Sequence, residues 1–161
     1  MSMESQDEIR LNEHNKQEHP PMHTAEHLLN QTMVRMFGCE RSHNAHIERK
    51  KSKINYDLAE APTAEQIAEV ERRMNEVINC HLPVTYEYVR REDVPVGVPL
   101  DKLPEEAGEV LRLVRIGDYD TCVCIGRHVE NTAQIGTFKI NSTSYKDGSF
   151  RIIFKLLPPE E

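Results

Sequence analysis

Two short runs carry side chains able to hold a metal or move a proton. In "HTAEHLLN", His23 and His27 stand four residues apart, with Glu26 directly before the second. On a helix, residues i and i+4 share one face with Cβ atoms about 5–6 Å apart, so both imidazoles can turn toward one ion. The pair alone fits equally a solvent-facing polar edge beside an apolar stripe. A second run, "CVCIGRHV", sets Cys124 and His128 four apart across a strand end, with a turn at Gly126. Together the runs offer three imidazoles and a thiolate, a borderline-soft donor set that suits one tetrahedral zinc per chain. Cys124 is the thiol counted into the set, and for Cys122 the alternative is a buried core thiol.

Elements must bring these distant runs together. From His23 onward Ala25, Leu28, Leu29, Met33, Met36 and Phe37 recur at helical spacing and Gly38 can terminate the run, which predicts a helix of about four turns. "AHIERKKSKINYDL" predicts a hairpin, Ala45 to Glu48 and Ile54 to Leu58, with Arg49, Lys50, Lys51, Ser52 and Lys53 at its turn. Pro62-Thr63 opens a second helix running to about Cys80. Thr63 and Gln66 form its capping-box pattern, and Ile67, Val70, Met74, Val77 and Ile78 its apolar stripe. The rest reads as strands: "PVTYEYVRR", "VLRLVRIG", "CVCIG", "TFKINSTSY" and "SFRIIFKLL". "KDG" is a hairpin turn between the last two, and a helical turn is expected at Pro104 to Gly108. Helices first and antiparallel strands after predict an α+β single domain, an antiparallel sheet packed with two main helices. Residues 1–21 read as a polar N-terminal arm, 22–157 as the domain and 158–161 as a short tail.

At 161 residues the chain can bury roughly two-thirds of its unfolded surface in one core. Its 38% hydrophobic and 29% charged composition is that of a soluble globular protein. No apolar run approaches the ~20 residues of a membrane span and the polar start lacks a signal core, so a cytoplasmic location away from membranes is expected. The four cysteines show no framework spacing and read as free thiols. A net charge of −7 argues against indiscriminate coating of nucleic acid, and DNA is not an expected partner. The basic knot of Arg49, Lys50, Lys51 and Lys53 is the candidate phosphate contact on this acidic background, or else a solvated turn.

"HTAEHLL", "CIGRHV" and "TAQIGTFKI" occur in this order and at this separation. They resemble the signature of the alanyl-tRNA synthetase editing domain: an H-x-x-x-H helix, a C-x-x-x-H strand end and a T-x-x-I-G-x-x-K-I continuation. "EQIAEVERRMNEVIN" followed by "LPVTYEYV" resembles that family's connector, and "VLRLVRIGDYDTCVC" the strand leading into its cysteine motif. The resemblance covers Met22 to about Leu157. It implies His23, His27, Cys124 and His128 as zinc ligands, and mischarged tRNA as partner. The implied activity is ester hydrolysis of Ser-tRNA(Ala), with Gly-tRNA(Ala) as a further substrate. The first motif starts so early, and synthetase motifs are so wholly missing, that the short free-standing type is expected. Such an activity answers a physical limit, since binding alone separates amino acids differing by one small group only about 10- to 200-fold.

The chain departs from the family pattern beside the ligands. Glu26 stands where many relatives have a small polar residue, His43 where they have glutamine, and Ile125 and Arg127 replace a glycine and a threonine. Glu26 is a candidate general base, a partner for a ligand imidazole, or a solvated helix residue; His43 is a candidate contact to substrate or to a zinc-bound water, or a surface loop residue. Arg127 is a candidate tRNA contact, or a solvent-facing charge. Rival classes remain. Threonyl-tRNA editing domains share both halves of the motif, although "TAQIGTFKI" favours the alanyl side. "HTAEH" also matches an inverted zinc-protease motif, with Glu105 or Glu106 as third ligand, and resembles a run in S-ribosylhomocysteine lyases. A closed four-ligand zinc in a non-catalytic module binding tRNA or a synthetase is the last alternative.

Overall fold

The computed structural model describes residues 19–98 and 109–159. Its first helix, α1 (Pro20–Phe37), begins at the proline pair, whose fixed φ suits the first helical positions. The pair therefore opens the helix and does not close the arm, and His23 lies in the first turn. Gly38 ends the helix in the left-handed conformation (φ 66°), its N–H donating to Val34 O at 2.9 Å. One side of α1 is mainly apolar: Met22, Ala25, Leu28, Leu29 and Met33 are fully buried, with Thr32 buried among them.

After α1 come β1 (Asn44–His46) and β2 (Ser52–Asp57), in the register Ala45 opposite Ile54. Ser52, expected in the turn, instead heads β2 fully buried, because its hydroxyl both accepts from Glu48 N–H and donates to Glu48 O. Helix α2 (Ala64–Ile78) follows with the predicted capping box, Gln66 N–H to Thr63 Oγ1 at 3.1 Å and Thr63 N–H to Gln66 Oε1 at 2.8 Å. It buries Val70, Met74 and Ile78 in the core it shares with α1. Then come β3 (Val84–Arg90), β4 (Val110–Ile116), β5 (Asp120–Val123), β6 (Thr137–Lys146) and β7 (Ser149–Leu157), with short 3₁₀ turns at Arg91–Asp93 and Thr132–Gln134. The helical turn expected at Pro104 to Gly108 lies outside the described residues.

The class is α+β with antiparallel strands throughout, but the strands form two sheets: β1-β2-β7-β6 and β3-β4-β5. Both supply the core, Tyr56, Phe138 and Phe154 from the first and Val114 and Ile116 from the second. The division follows from pairing partners. β7 pairs with β2 on one side and β6 on the other, which leaves β3, β4 and β5 to pair among themselves. The "KDG" turn closes β6 onto β7 with positive φ at Asp147 and Gly148, the geometry of the tight hairpin turn that matches strand twist. Before β6, Gly136 has φ 93° and lies so close to β7 that a Cβ would collide with the Leu157 carbonyl oxygen. No helix among the described residues is long and apolar enough to cross a membrane.

Candidate metal centre

The polar edge of α1 faces the end of the second sheet. β5 stops at Val123, so Cys124 sits just past the strand rather than within it. Arg112 of β4 shapes that bend: its Nε donates to Cys124 O at 2.8 Å, another guanidinium nitrogen donates to Gly126 O, and Cys124 N–H donates to Arg112 O. The bend turns Cys124 and His128 back onto α1. His23, His27, Cys124 and His128 each present one donor atom, all within 4.8 Å of one another. The His23 and His128 rings stack with centroids 4.2 Å apart, and His27 meets both edge-on at 5.0 and 4.6 Å.

The remaining ring nitrogens show why the donors converge. His23 Nδ1–H donates to Arg127 O at 3.0 Å, which leaves Nε2 as a lone-pair donor 3.4 Å from Cys124 Sγ. His128 Nδ1 hydrogen-bonds Thr24 Oγ1 at 2.9 Å, while its Nε2 is sealed from solvent with no hydrogen-bond partner. His27 Nδ1 faces Asp120 Oδ2 at 3.6 Å, an ion-pair distance rather than a hydrogen bond. Each imidazole is thus oriented through its outer nitrogen, the arrangement found around bound metals. A zinc with bonds of 2.0–2.3 Å has donor-to-donor edges of about 3.3–3.8 Å, so the cluster needs to close by no more than about 1.5 Å. An orphaned buried imidazole nitrogen and a thiolate beside it fit a metal ion, which His23, His27, Cys124 and His128 would hold.

Electrostatics agree with the donor chemistry. Burial resists a charged imidazole at His27, yet Asp120 and Cys124 outweigh it and push its pKa up to about 10. Burial likewise resists a thiolate at Cys124, but the imidazoles of His128, His23 and His27 clustered around it hold its pKa far below the usual thiol range. His128, disfavoured as a cation by burial and by the neighbouring imidazoles, falls to about 4. Without a metal the centre is therefore a thiolate–imidazolium pair beside a neutral His128. Cys122, two residues before Cys124 and not among the converging donors, has its thiol pushed up by burial. It is half-buried and lines a cavity, so it is not the core thiol that was the alternative.

That cavity, about 830 Å³, has the centre in its wall. Glu26 and His43 both line it with His23, His27 and Cys124, so the structure brings the expected pocket residues to one place. Glu26 makes no hydrogen bond or ion pair among the described residues; the partners of the ligand imidazoles are Arg127 O, Asp120 and Thr24 instead. His43 is exposed, 3.3 Å from Glu40 Oε1. Arg49, Lys50, Lys51 and Lys53 are exposed around the β1–β2 turn, and none lines the cavity. Arg127 is exposed, and its carbonyl accepts from His23 Nδ1–H. Tyr88, 72% exposed, stands on the cavity wall beside Arg112, whose guanidinium lies 4.6 Å from the Tyr86 ring centre.

Several residues of the site carry no signal in the sequence. Asp120 is 2% exposed and accepts from Arg41 at 2.7 and 3.3 Å and from Gln31 at 2.9 Å, besides facing His27. Thr24 is fully buried, also accepts from Val129 N–H, and ties the cysteine loop to α1. Asn30 ends the first motif, is 4% exposed and lines the same cavity. A helical projection of "HTAEHLLN" puts Asn30 on the histidine face, which is the one hint available in advance.

Comparison with known proteins places the chain. Residues 111–153 match the family described as the threonyl and alanyl tRNA synthetase second additional domain. The chain is 31% identical over 123 residues to the alanine–tRNA ligase of Pseudoalteromonas translucida (strain TAC 125), covering 76% of this chain and 14% of that one. Identity is 34% over 124 residues with the Coxiella burnetii (strain Dugway 5J108-111) ligase, at the same coverage. The Oceanobacillus iheyensis ligase is 33% identical over 132 residues, 81% of this chain and 15% of that one. The chain thus spans about one-seventh of the length of the curated relatives it matches. Over that shared segment it is an alanyl-tRNA synthetase editing-domain-like protein.

Proposed function

We propose that the protein is a zinc-dependent aminoacyl-tRNA deacylase, acting as a cytoplasmic fidelity factor of translation. It hydrolyses the ester of Ser-tRNA(Ala) and, as a second substrate, Gly-tRNA(Ala). The observation that carries this reading is the opening of the donor cluster onto a cavity rather than into solid core. A purely structural zinc would favour a closed site. When bound there, zinc supplies a Lewis acid that polarises a carbonyl or lowers the pKa of a water. Glu26 and His43, on the same cavity wall, can take the proton of the attacking water and return it to the leaving ribose oxygen. Tyr88 offers an exposed ring on which the terminal adenine can stack. Arg49, Lys50, Lys51 and Lys53, with Arg127 nearer the centre, supply cations for the tRNA backbone. The reported relatives are alanine–tRNA ligases, which supports the alanyl over the threonyl side.

The test is release of amino acid from Ser-, Gly-, Ala- and Thr-charged tRNA by zinc-loaded protein, with Cys124→Ala and His27→Ala alongside. Rapid loss of the seryl and glycyl esters of tRNA(Ala), slow loss of the alanyl ester and inert variants are expected. Equal rates for wild type and variants on every ester would overturn the reading. Preference for threonine-specific tRNA charged with serine would move it to the threonyl type.

A further inference from the structure

Asn30 shares the cavity-facing side of α1 with His23, Glu26 and His27, three residues beyond His27. Its Oδ1 is doubly engaged, accepting from the Ser42 backbone N–H at 3.2 Å and from the Tyr56 hydroxyl at 2.8 Å. A backbone N–H cannot accept, so the amide cannot flip: turning Nδ2 toward Ser42 would set donor against donor. Tyr56 is 1% exposed, and Asn30 is 4% exposed. Burial, reinforced by the charge of Glu26, keeps the Tyr56 hydroxyl protonated far into the alkaline range, so it remains available as a donor. Nδ2 is consequently a donor of fixed direction. It has no hydrogen-bond partner among the described residues, and it is not among the buried polar atoms that lack one, so it opens onto the cavity.

A buried amide held this firmly, with its donor end left free beside a hydrolytic centre, is what an acceptor oxygen of a bound substrate requires. Preorganised donors of this kind stabilise developing charge without reorganising during the reaction. We infer that Asn30 Nδ2 donates a hydrogen bond to an oxygen of the acyl group held in the cavity, making Asn30 a catalytic residue of the deacylation. The inference rests on the deacylase reading for the identity of that acyl group. In the reaction, water adds to the ester carbon, the bond from that carbon to the ribose oxygen breaks, and the ribose oxygen takes the water's proton. The carbonyl oxygen gains negative charge on the way, and the Asn30 donor stabilises it there.

Asn30→Asp separates this role from a structural one. The aspartate keeps Oδ1 for Ser42 and Tyr56 and replaces the donor with an anionic acceptor. Two measurements decide. The first is affinity for non-hydrolysable 3′-amide analogues of seryl- and glycyl-adenosine, each of which retains the carbonyl. Both are expected to bind Asn30→Asp about tenfold more weakly than wild type, while zinc content stays unchanged and the variant remains folded at the assay temperature. The second is turnover, where kcat should fall about 10²- to 10³-fold with KM within a few-fold of wild type. Weaker binding confined to the seryl analogue would assign the bond to the side-chain hydroxyl rather than the carbonyl. Equal affinity of wild type and variant for both analogues overturns the inference, whatever the activity. Wild type that binds the analogues better than the variant yet releases no amino acid leaves the Asn30 contact standing and defeats the deacylase reading instead.

Discussion

Asp120 is the residue on which the centre's order depends, and Asp120→Asn tests that dependence without changing shape. The carboxylate is fully enclosed, 2.7 Å from an Arg41 guanidinium that is itself only 15% exposed, and 3.6 Å from His27 Nδ1. Removing one partner of a buried ion pair leaves the other uncompensated, which costs about 3–5 kcal/mol. The amide oxygen can still accept one hydrogen bond from Arg41 or Gln31, so the loss belongs at the lower end, about 3 kcal/mol. His27 loses the carboxylate that orients it and sustains its basicity, a change of the kind that weakens metal binding about 10- to 100-fold. Denaturant titration of metal-stripped protein reads the first effect; zinc competition against a chromophoric chelator reads the second. The pH dependence is also fixed in sign. Burial opposes ionisation of Asp120, but His27 and Arg41 hold its pKa far below the ordinary 3.8, so its contribution is present at neutral pH and declines only in strong acid. His27 is raised from 6.5 to about 10, so its contribution is complete below pH 6.5 and disappears as pH rises through 10. The stability gap between wild type and variant should therefore be widest between about pH 4 and 6.5. A loss under about 1 kcal/mol, with zinc affinity unchanged, would refute the reasoning.

Two further outcomes follow from the charges of the centre and of the β1–β2 turn. Zinc binding at pH 8 should release close to one proton, given up by His27, because Cys124 is already a thiolate and His128 already neutral. Calorimetry in buffers of different ionisation enthalpy measures the count, and two or more protons would mean that the thiol is not ionised beforehand. Lys50→Ala with Lys51→Ala should raise KM for charged tRNA, leave kcat alone and flatten the dependence of log KM on log salt by about two, one per lost phosphate contact. An unchanged salt slope would make the β1–β2 turn merely solvated.

What was legible in the sequence was whatever has a local period. His23 with His27, and Cys124 with His128, are spaced so that one helix turn or one strand-end bend aligns them, and the capping box at Thr63 and the turn at Asp147-Gly148 are equally local. Asp120 was invisible for the opposite reason. Its partners come from α1 and from the Arg41 loop, and nothing in "GDYDTC" marks it as the residue where they meet. Strands were recognisable one at a time, but which strand pairs with which is a non-local choice. Hence one expected sheet proved to be two, with the cavity lined by α1, the loop after it and strands of the second sheet.

Helix α1 explains why local and non-local requirements coincide here. His23, Glu26, His27 and Asn30 fall at i, i+3, i+4 and i+7 along one face, while Met22, Ala25, Leu28, Leu29 and Met33 fill the core from the other. The rotation of the helix about its axis is therefore set by close-packed side chains, which resist even one-methylene changes in volume. That same rotation decides where two imidazoles and an amide point. Thr24 and Asp120 then tie the helix to the cysteine loop and to β5, so the donors supplied by the second sheet meet those of α1 at a distance the core has already determined. The polar face of α1 does not need to be stabilised by its own interactions; it needs only to be carried by an apolar face that admits a single seating.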